Sequence, residues 1–474
     1  MALETWFPAL LGYLAPVGLF LLAWGGMPPA RARRSATVGA LTLALAAVGY
    51  FAVGFAFHLG GAQVVSPVPG LAGLDALYEG ADGWGLVGLR GFFLAGEAAT
   101  PAAMALFVTY LPAVAGAVLL PTLSLHDRAR GWQVVAVGLT VAAVVFPLAA
   151  CWAWGGGWLA NLGTTMERGH GFVDYAGAGV VYFLGGMAAL GALSGLGMRL
   201  PSDANEVAEM PPAHFPLLAH LGAMLFGVGL LGWSLSTPFH VAGATLSLPR
   251  VALNALLAGA GGTLAVQTYA WFTVGYAEPL MAARGAAAGF VAIAAGAPFV
   301  PPWAALVVGA VAGLVLPLGV YLVERVLRLP DGTAAVPLGI FGGLWGVLAV
   351  ALFADGRQGV GWNGVGLTEY HTVAGQGVTG FFPAAGFIAD GVGQLTSQLV
   401  GLGALALVGF LLPWLLMKAF AVGAGGTTVS PDATGAVGTG AAPGAVETTA
   451  APDAAGAVET TAPPGTSGTG ASPD

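Results

Sequence analysis

Eleven long apolar windows constrain this 474-residue chain more than any other feature of its sequence. Most span about 20 residues, which is the length that an α-helix needs to cross the hydrocarbon core of a bilayer. The eighth window is shorter, so we expect its helix to be broken or tilted. The windows lie near residues 6–26, 37–59, 100–124, 134–154, 174–198, 215–237, 250–276, 286–300, 303–325, 335–354 and 392–420. They predict an all-α protein with eleven membrane-spanning helices.

The composition excludes several classes of protein. Charged residues make up 8% of the chain, against about 25% in a soluble domain, so the expected surroundings are a lipid bilayer. The few basic residues form no basic face, which argues against a nucleic-acid partner. A single cysteine, Cys151, allows no internal disulfide and no thiolate metal site. We find no nucleotide-binding loop, zinc motif or nucleophile motif, so the sequence predicts no enzyme, no cofactor and no metal.

The basic residues predict the orientation of the helices. With the amino terminus outside, ten of the 14 Lys and Arg residues face the cytoplasm, as expected for loops on that side. An odd number of spans then places the carboxyl end in the cytoplasm as well.

The chain divides into a transmembrane domain at 1–421 and a tail at 422–474. The heptapeptide GAVETTA occurs in the tail at 444–450 and again at 456–462, among many Ala, Gly, Thr and Pro residues. Such a composition buries too little apolar surface to fold alone. We therefore expect a disordered, acidic, cytoplasmic tail of low complexity.

Several short stretches carry a resemblance to a known family. They read WAWGGGWL at 152–159, VDYAGAGVVYFLGG at 173–186, AAAGFVAIAAGAPFVPPWAALVVGAVAG at 286–313, FGGLWGVLAVALFADG at 341–356, GWNGVG at 361–366 and GQLTSQLVG at 393–401. In order and spacing, over roughly residues 1–420, they resemble the ammonium transporter (Amt/Mep/Rh) family. The tail does not match.

The resemblance implies a fold, an assembly and a function. Family members have eleven helices, of which the first ten form two inverted five-helix repeats, and they assemble as homotrimers with one pore in each subunit. The implied function is transport of ammonium or ammonia across the plasma membrane. A divergent ammonium sensor that does not transport, or a channel for another small neutral solute, is the alternative. In the family, an ordered cytoplasmic carboxyl end binds PII-type regulators. The tail of this chain does not resemble that end, so the sequence does not decide whether a PII-type protein is a partner.

Four residues match the family's outer ion site and its gate. Trp154 corresponds to the tryptophan whose face attracts the ammonium ion, and Thr237 corresponds to a serine whose hydroxyl accepts an ammonium proton. The family's two stacked gating phenylalanines correspond to Tyr110 and Trp233. The alternatives are an interfacial tryptophan for Trp154, a hydroxyl bonded to its own helix end for Thr237, and ordinary helix packing for the gate pair.

Three further residues match functional positions deeper in the family's pore. Asp174 corresponds to an aspartate at the start of the fifth helix, where we expect it to cap the helix, or alternatively to lower the cost of a nearby cation. The family's two pore histidines correspond to Tyr182 and Gly339. Tyrosine titrates near pH 10 and histidine near 6.5, so we expect no histidine relay. Gly339 removes volume, which is expected to widen the pore or to be filled by Tyr182.

Overall fold

The computed structural model describes residues 3–65, 69–80, 83–200, 213–236, 239–241 and 244–423. In that part of the chain, ten helices are long and apolar enough to cross a membrane, and one further apolar helix is shorter. The long helices are α1 (Phe7–Gly25), α2 (Pro29–Leu59), α3 (Pro101–Leu125), α4 (Gly131–Trp154), α5 (Ala178–Leu196), α6 (Pro216–Leu235), α7 (Leu248–Val274), α9 (Pro302–Val326), α10 (Ala335–Phe353) and α11 (Gly391–Ala421), and the shorter one is α8 (Pro279–Ile293). The predicted all-α, multi-pass architecture is confirmed.

Short elements fill the connections between these helices. Two antiparallel hairpins are formed by β1 (Leu77–Glu79) with β2 (Gly85–Gly88) and by β3 (Glu369–Tyr370) with β4 (Val373–Ala374). Single helical turns lie at Ala62–Val65, Ala72–Leu74, Phe92–Leu94, Gly96–Ala98, Leu162–Met166, Phe239–Val241 and Trp362–Gly364.

The eighth helix begins seven residues earlier than the predicted window at 286–300, so that prediction is wrong in its position. The start of α8 is fixed by Glu278, whose carboxylate accepts the N–H of Met281 at 2.7 Å. After α8 the chain turns, and Asn254 of α7 donates two hydrogen bonds to carbonyls of that turn. The hydropathy pattern concealed the first two turns of α8, because they contain the buried Arg284.

The first helices of the two predicted repeats, α1 and α6, pack directly against each other. A Cβ atom on Gly18 of α1 would lie 2.2 Å from the backbone nitrogen of Phe226, and one on Gly222 of α6 would lie 2.3 Å from that of Leu22. Only glycine permits backbones to approach so closely. The contact is reciprocal, as a two-fold relation between the repeats requires.

The last helices of the two repeats, α5 and α10, begin in the same way. In α5 the Asp174 carboxylate accepts the N–H of Val180 at 2.7 Å, and before α10 the Asp331 carboxylate accepts the N–H of Val336 at 2.7 Å. A π-helical segment lies near the start of both helices. Such segments are rare and are often found at functional sites. The matching starts support the two inverted repeats that the resemblance implies.

Candidate functional site

Five buried side chains from separate parts of the chain form one group, which we call the aromatic cluster. Its members are His58 of α2, Tyr110 of α3, Trp154 of α4, Trp233 of α6, and His240 in the turn that follows α6. The ring centres of Tyr110 and Trp233 lie 5.5 Å apart, and Trp154 lies 6.2 Å from Tyr110 and 6.4 Å from Trp233. The structure therefore brings together three of the residues that the family resemblance singled out.

His240 fixes the position of Tyr110 within the cluster. Its Nδ1 atom lies 2.9 Å from the Tyr110 hydroxyl, and its Nε2 atom lies 2.8 Å from the carbonyl oxygen of Tyr175. Because a carbonyl oxygen only accepts, Nε2 carries the proton, and in the neutral ring Nδ1 accepts from the tyrosine hydroxyl. The imidazole also stacks on Trp154, with ring centres 4.5 Å apart and planes at 7°.

His240 is not among the residues that the family resemblance singles out, although its side chain is only 8% exposed. No hydrophobic period marks the residue, because the chain has left α6 by that point. The available signal was Tyr110 itself, since a tyrosine at a dry gate position needs a partner for its hydroxyl.

Trp154 is held from two directions. Its indole Nε1–H donates to the backbone oxygen of Asp174 at 2.8 Å, and His240 covers one ring face. Trp154 is 2% exposed, so a cation reaches the ring only after its neighbours move.

The Asp174 carboxylate accepts the backbone N–H groups of Gly179 and Val180 at 3.0 and 2.7 Å, which is the geometry of a helix cap.

The expected space beside Gly339 is absent, so that prediction is wrong. A Cβ atom on Gly339 would lie 2.6 Å from the carbonyl oxygen of Tyr182 and 2.9 Å from Cα of Gly186. The backbones of α5 and α10 lie so close together that backbone atoms occupy the volume that a side chain would need. The Tyr182 ring packs edge-on against Phe226, with centres 5.6 Å apart, and does not fill a void at Gly339.

Two predictions fall outside the described residues. The first concerns Thr237. The second concerns the tail, of which residues 424–474 are not described. Within the described ranges, no three His, Cys, Asp or Glu side chains are grouped as metal ligands would be.

A second polar group lies in the connections that precede α5 and α11. His170 is fully buried, and its ring centre lies 4.5 Å from that of Tyr370. Tyr370 donates a hydrogen bond to Asp390, which lies 3.6 Å from Nε2 of His371. Burial, with a smaller effect of His371, lowers the pKa of His170 to about 3. Burial and the bond to Asp390 raise the pKa of Tyr370 above its ordinary value.

Comparison with known sequences identifies the family. The profile of the Ammonium Transporter Family matches residues 8–424. Ammonium transporter Amt2 of Archaeoglobus fulgidus is 32% identical over 404 residues, which cover 83% of this chain and 76% of that protein. Ammonium transporter Amt1 of Methanocaldococcus jannaschii is 31% identical over 241 residues, which cover 50% of this chain and 58% of that protein.

Comparison with solved structures identifies the same fold. A structure described as a Sensor Amt Protein superposes with a TM-score of 0.70 at 22% identity, over 92% of this chain and 99% of that one. Mep2 of Candida albicans superposes with a TM-score of 0.65 at 21% identity, over 88% of this chain and 82% of that one. The profile match and the Archaeoglobus relative together show that the chain belongs to the ammonium transporter family.

Proposed function

We propose that this protein transports ammonium or ammonia across the plasma membrane, through one path in each subunit of a homotrimer. The amino terminus lies outside and the carboxyl tail lies in the cytoplasm, as the distribution of basic residues favours. One observation carries the proposal: Tyr110, Trp154 and Trp233, from three different helices, meet in a single buried cluster. The relatives named ammonium transporters support the choice of solute.

In this proposal the aromatic cluster recruits the ion and excludes water. The face of Trp154 attracts ammonium once its neighbours move, an interaction worth roughly 0.5–2 kcal/mol, and the hydroxyl of Thr237 accepts one of its protons. Tyr110 and Trp233 meet at 67° and form the closed gate. Since both rings are buried and apolar on their faces, a hydrated ion loses its water shell at considerable cost before it passes.

Beyond the gate the path lacks a group that titrates near neutral pH at either histidine position. Tyr182 carries a phenol, a group that in water titrates near pH 10, and Gly339 has no side chain. We therefore propose that neutral ammonia passes Tyr182, and that ammonium recruited at the cluster releases its proton to the external water. Asp174 serves as a structural cap for the start of α5, because its carboxylate is already bonded to two backbone N–H groups.

The proposal is tested with the full-length protein in liposomes that contain a pH indicator. An external ammonium pulse should raise the internal pH faster than in protein-free liposomes, because entering ammonia takes up protons. Trp233→Ala should increase the rate of internal alkalinisation, because it opens the gate. Trp271→Ala is the matched control, because Trp271 is 71% exposed on α7. Alkalinisation no faster than in protein-free liposomes would contradict transport, and ammonium binding without flux would favour a sensor.

A further inference from the structure

His58 carries a nitrogen atom that the fold leaves without a hydrogen bond. The residue is fully buried near the end of α2, and its Nδ1 atom lies 2.8 Å from the hydroxyl of Tyr50. That bond fixes the ring, and when Nδ1–H is its donor, Nε2 of the neutral imidazole is an unprotonated acceptor. The Nε2 atom is also buried and has no hydrogen-bond partner among the described residues. A buried polar atom without a partner is unfavourable, and one explanation for it in a native structure is a water, ion or ligand that binds there.

The surroundings of His58 suit a small group that carries N–H bonds. Its ring lies edge-on to Tyr110, with centres 4.8 Å apart and planes at 82°, and Trp154 and Phe146 lie 6.4 and 6.0 Å away. Aromatic faces attract cations such as ammonium. His58 therefore belongs to the gate and borders the residues that we assign to ion recruitment.

We propose that Nε2 of His58 binds an N–H group of ammonium or ammonia, at a site that opens when the Tyr110 ring turns away. The proposal rests on the transport function proposed above. The Tyr110 ring must move because it packs on His58 while Nε2 is buried. The hydrogen bond between Tyr110 and His240 holds the closed position.

His58 and His240, which both contact Tyr110, then have different roles. His240 is already engaged at both ring nitrogens, so it positions the gate. His58 keeps one nitrogen available, so it receives the solute. This site supplies an imidazole acceptor, which the chain lacks at Tyr182 and Gly339, where the resemblance implies histidines.

A purely structural role for His58 leads to a different expectation. If the side chain only fills space, replacing it and its partner by apolar residues removes the unpaired nitrogen and leaves the function intact. The double variant Tyr50→Phe with His58→Leu removes both polar groups while keeping similar volumes. It is therefore expected to fold, and it separates a packing role from a binding role.

The first experiment measures binding through thermal stability. Ammonium chloride, compared with potassium chloride at equal ionic strength, should raise the Tm of the purified full-length protein by about 3 °C at 100 times the dissociation constant. The double variant should need at least about tenfold more ammonium for the same shift, since a hydrogen bond from a charged donor is lost. His58→Gln should retain part of the affinity, because its amide oxygen can accept.

Two controls specify the chemistry. His214→Leu changes an exposed histidine away from the cluster and should leave the ammonium response unchanged. Tetramethylammonium carries the charge without an N–H bond and should give no stabilisation through His58. Repeating the titration at higher pH, where more of the solute is ammonia, tells which form binds.

The outcomes separate this site from the transport function. An unchanged ammonium affinity in the well-folded double variant would overturn the site, even if the wild-type protein alkalinises liposomes. A lost affinity in the double variant, in a protein that produces no flux, would support the site and overturn transport. A lost affinity together with a raised half-saturation concentration for flux supports both.

Discussion

Replacing Gly339 by alanine should destabilise the protein, although alanine is ordinarily the better residue in a helix. The added Cβ atom would lie 2.6 Å from the Tyr182 carbonyl oxygen and 2.9 Å from Cα of Gly186. Both are backbone atoms of α5, so α5 and α10 must separate to accept the methyl group. Overpacking costs about 1–3 kcal/mol, whereas Gly→Ala in a helix returns about 0.5–1 kcal/mol, which leaves a net loss of at most about 2.5 kcal/mol and centred slightly above 1 kcal/mol.

Thermal unfolding of the purified protein measures this loss. With an unfolding entropy of about 2.1 cal/mol/K per residue, a domain of about 420 residues should lose roughly 1–2 °C in Tm. Gly403→Ala in α11 is the matched control, because no described atom lies within 4 Å of its added Cβ. That variant should be as stable as the wild type or more so. Equal stability of the two variants, or a normally stable Gly339→His protein, would refute the close backbone approach.

Three further predictions follow from buried polar groups, each measured by unfolding of the purified protein. Asp174→Ala should cost about 1–2 kcal/mol because it removes a helix cap, and Asp174→Asn should cost less; equal losses would contradict the cap. The Arg250 guanidinium lies 2.6 Å from the Asp355 carboxylate. Asp355→Ala should cost about 3 kcal/mol, because it leaves this part-buried guanidinium without its carboxylate partner; a loss below 1 kcal/mol would refute this. His170 has a pKa of about 3 in the fold and about 6.5 when unfolded. As the pH drops below 6.5, the unfolded state therefore binds the proton first and the free energy of unfolding falls, by roughly 3 kcal/mol at pH 4.5. His170→Phe should remove that dependence, and an unchanged slope would contradict it.

Hydropathy located the ten long helices to within a few residues, except at the start of α2. It succeeded because a lipid-facing helix must be apolar over about 20 residues. It failed for α8, where most side chains pack against other helices and Arg284 is buried within the protein. Burial alone does not explain this failure, since α3 is 83% buried and its position was predicted correctly; the charge of Arg284 interrupts the apolar run at the start of α8.

The family resemblance placed Tyr110, Trp154 and Trp233 at positions that meet in space. It did not reveal His58 or His240, because their contacts join α2, α3 and the turn after α6, which no local pattern connects. The expectation for Gly339 failed for another reason. A sequence comparison treats the missing side chain as an empty volume. In the folded protein, close packing of the two helix backbones leaves no such volume.

Entry of neutral ammonia is distinguished from entry of the ion when charge movement and internal pH are measured on the same liposomes. We expect an ammonium pulse to raise the internal pH while solid-supported membrane electrophysiology records little ammonium-dependent current, because neither Tyr182 nor Gly339 relays a proton at neutral pH. Large, saturable ammonium currents that Tyr182→Phe leaves unchanged would contradict it, since another route would then carry the charge.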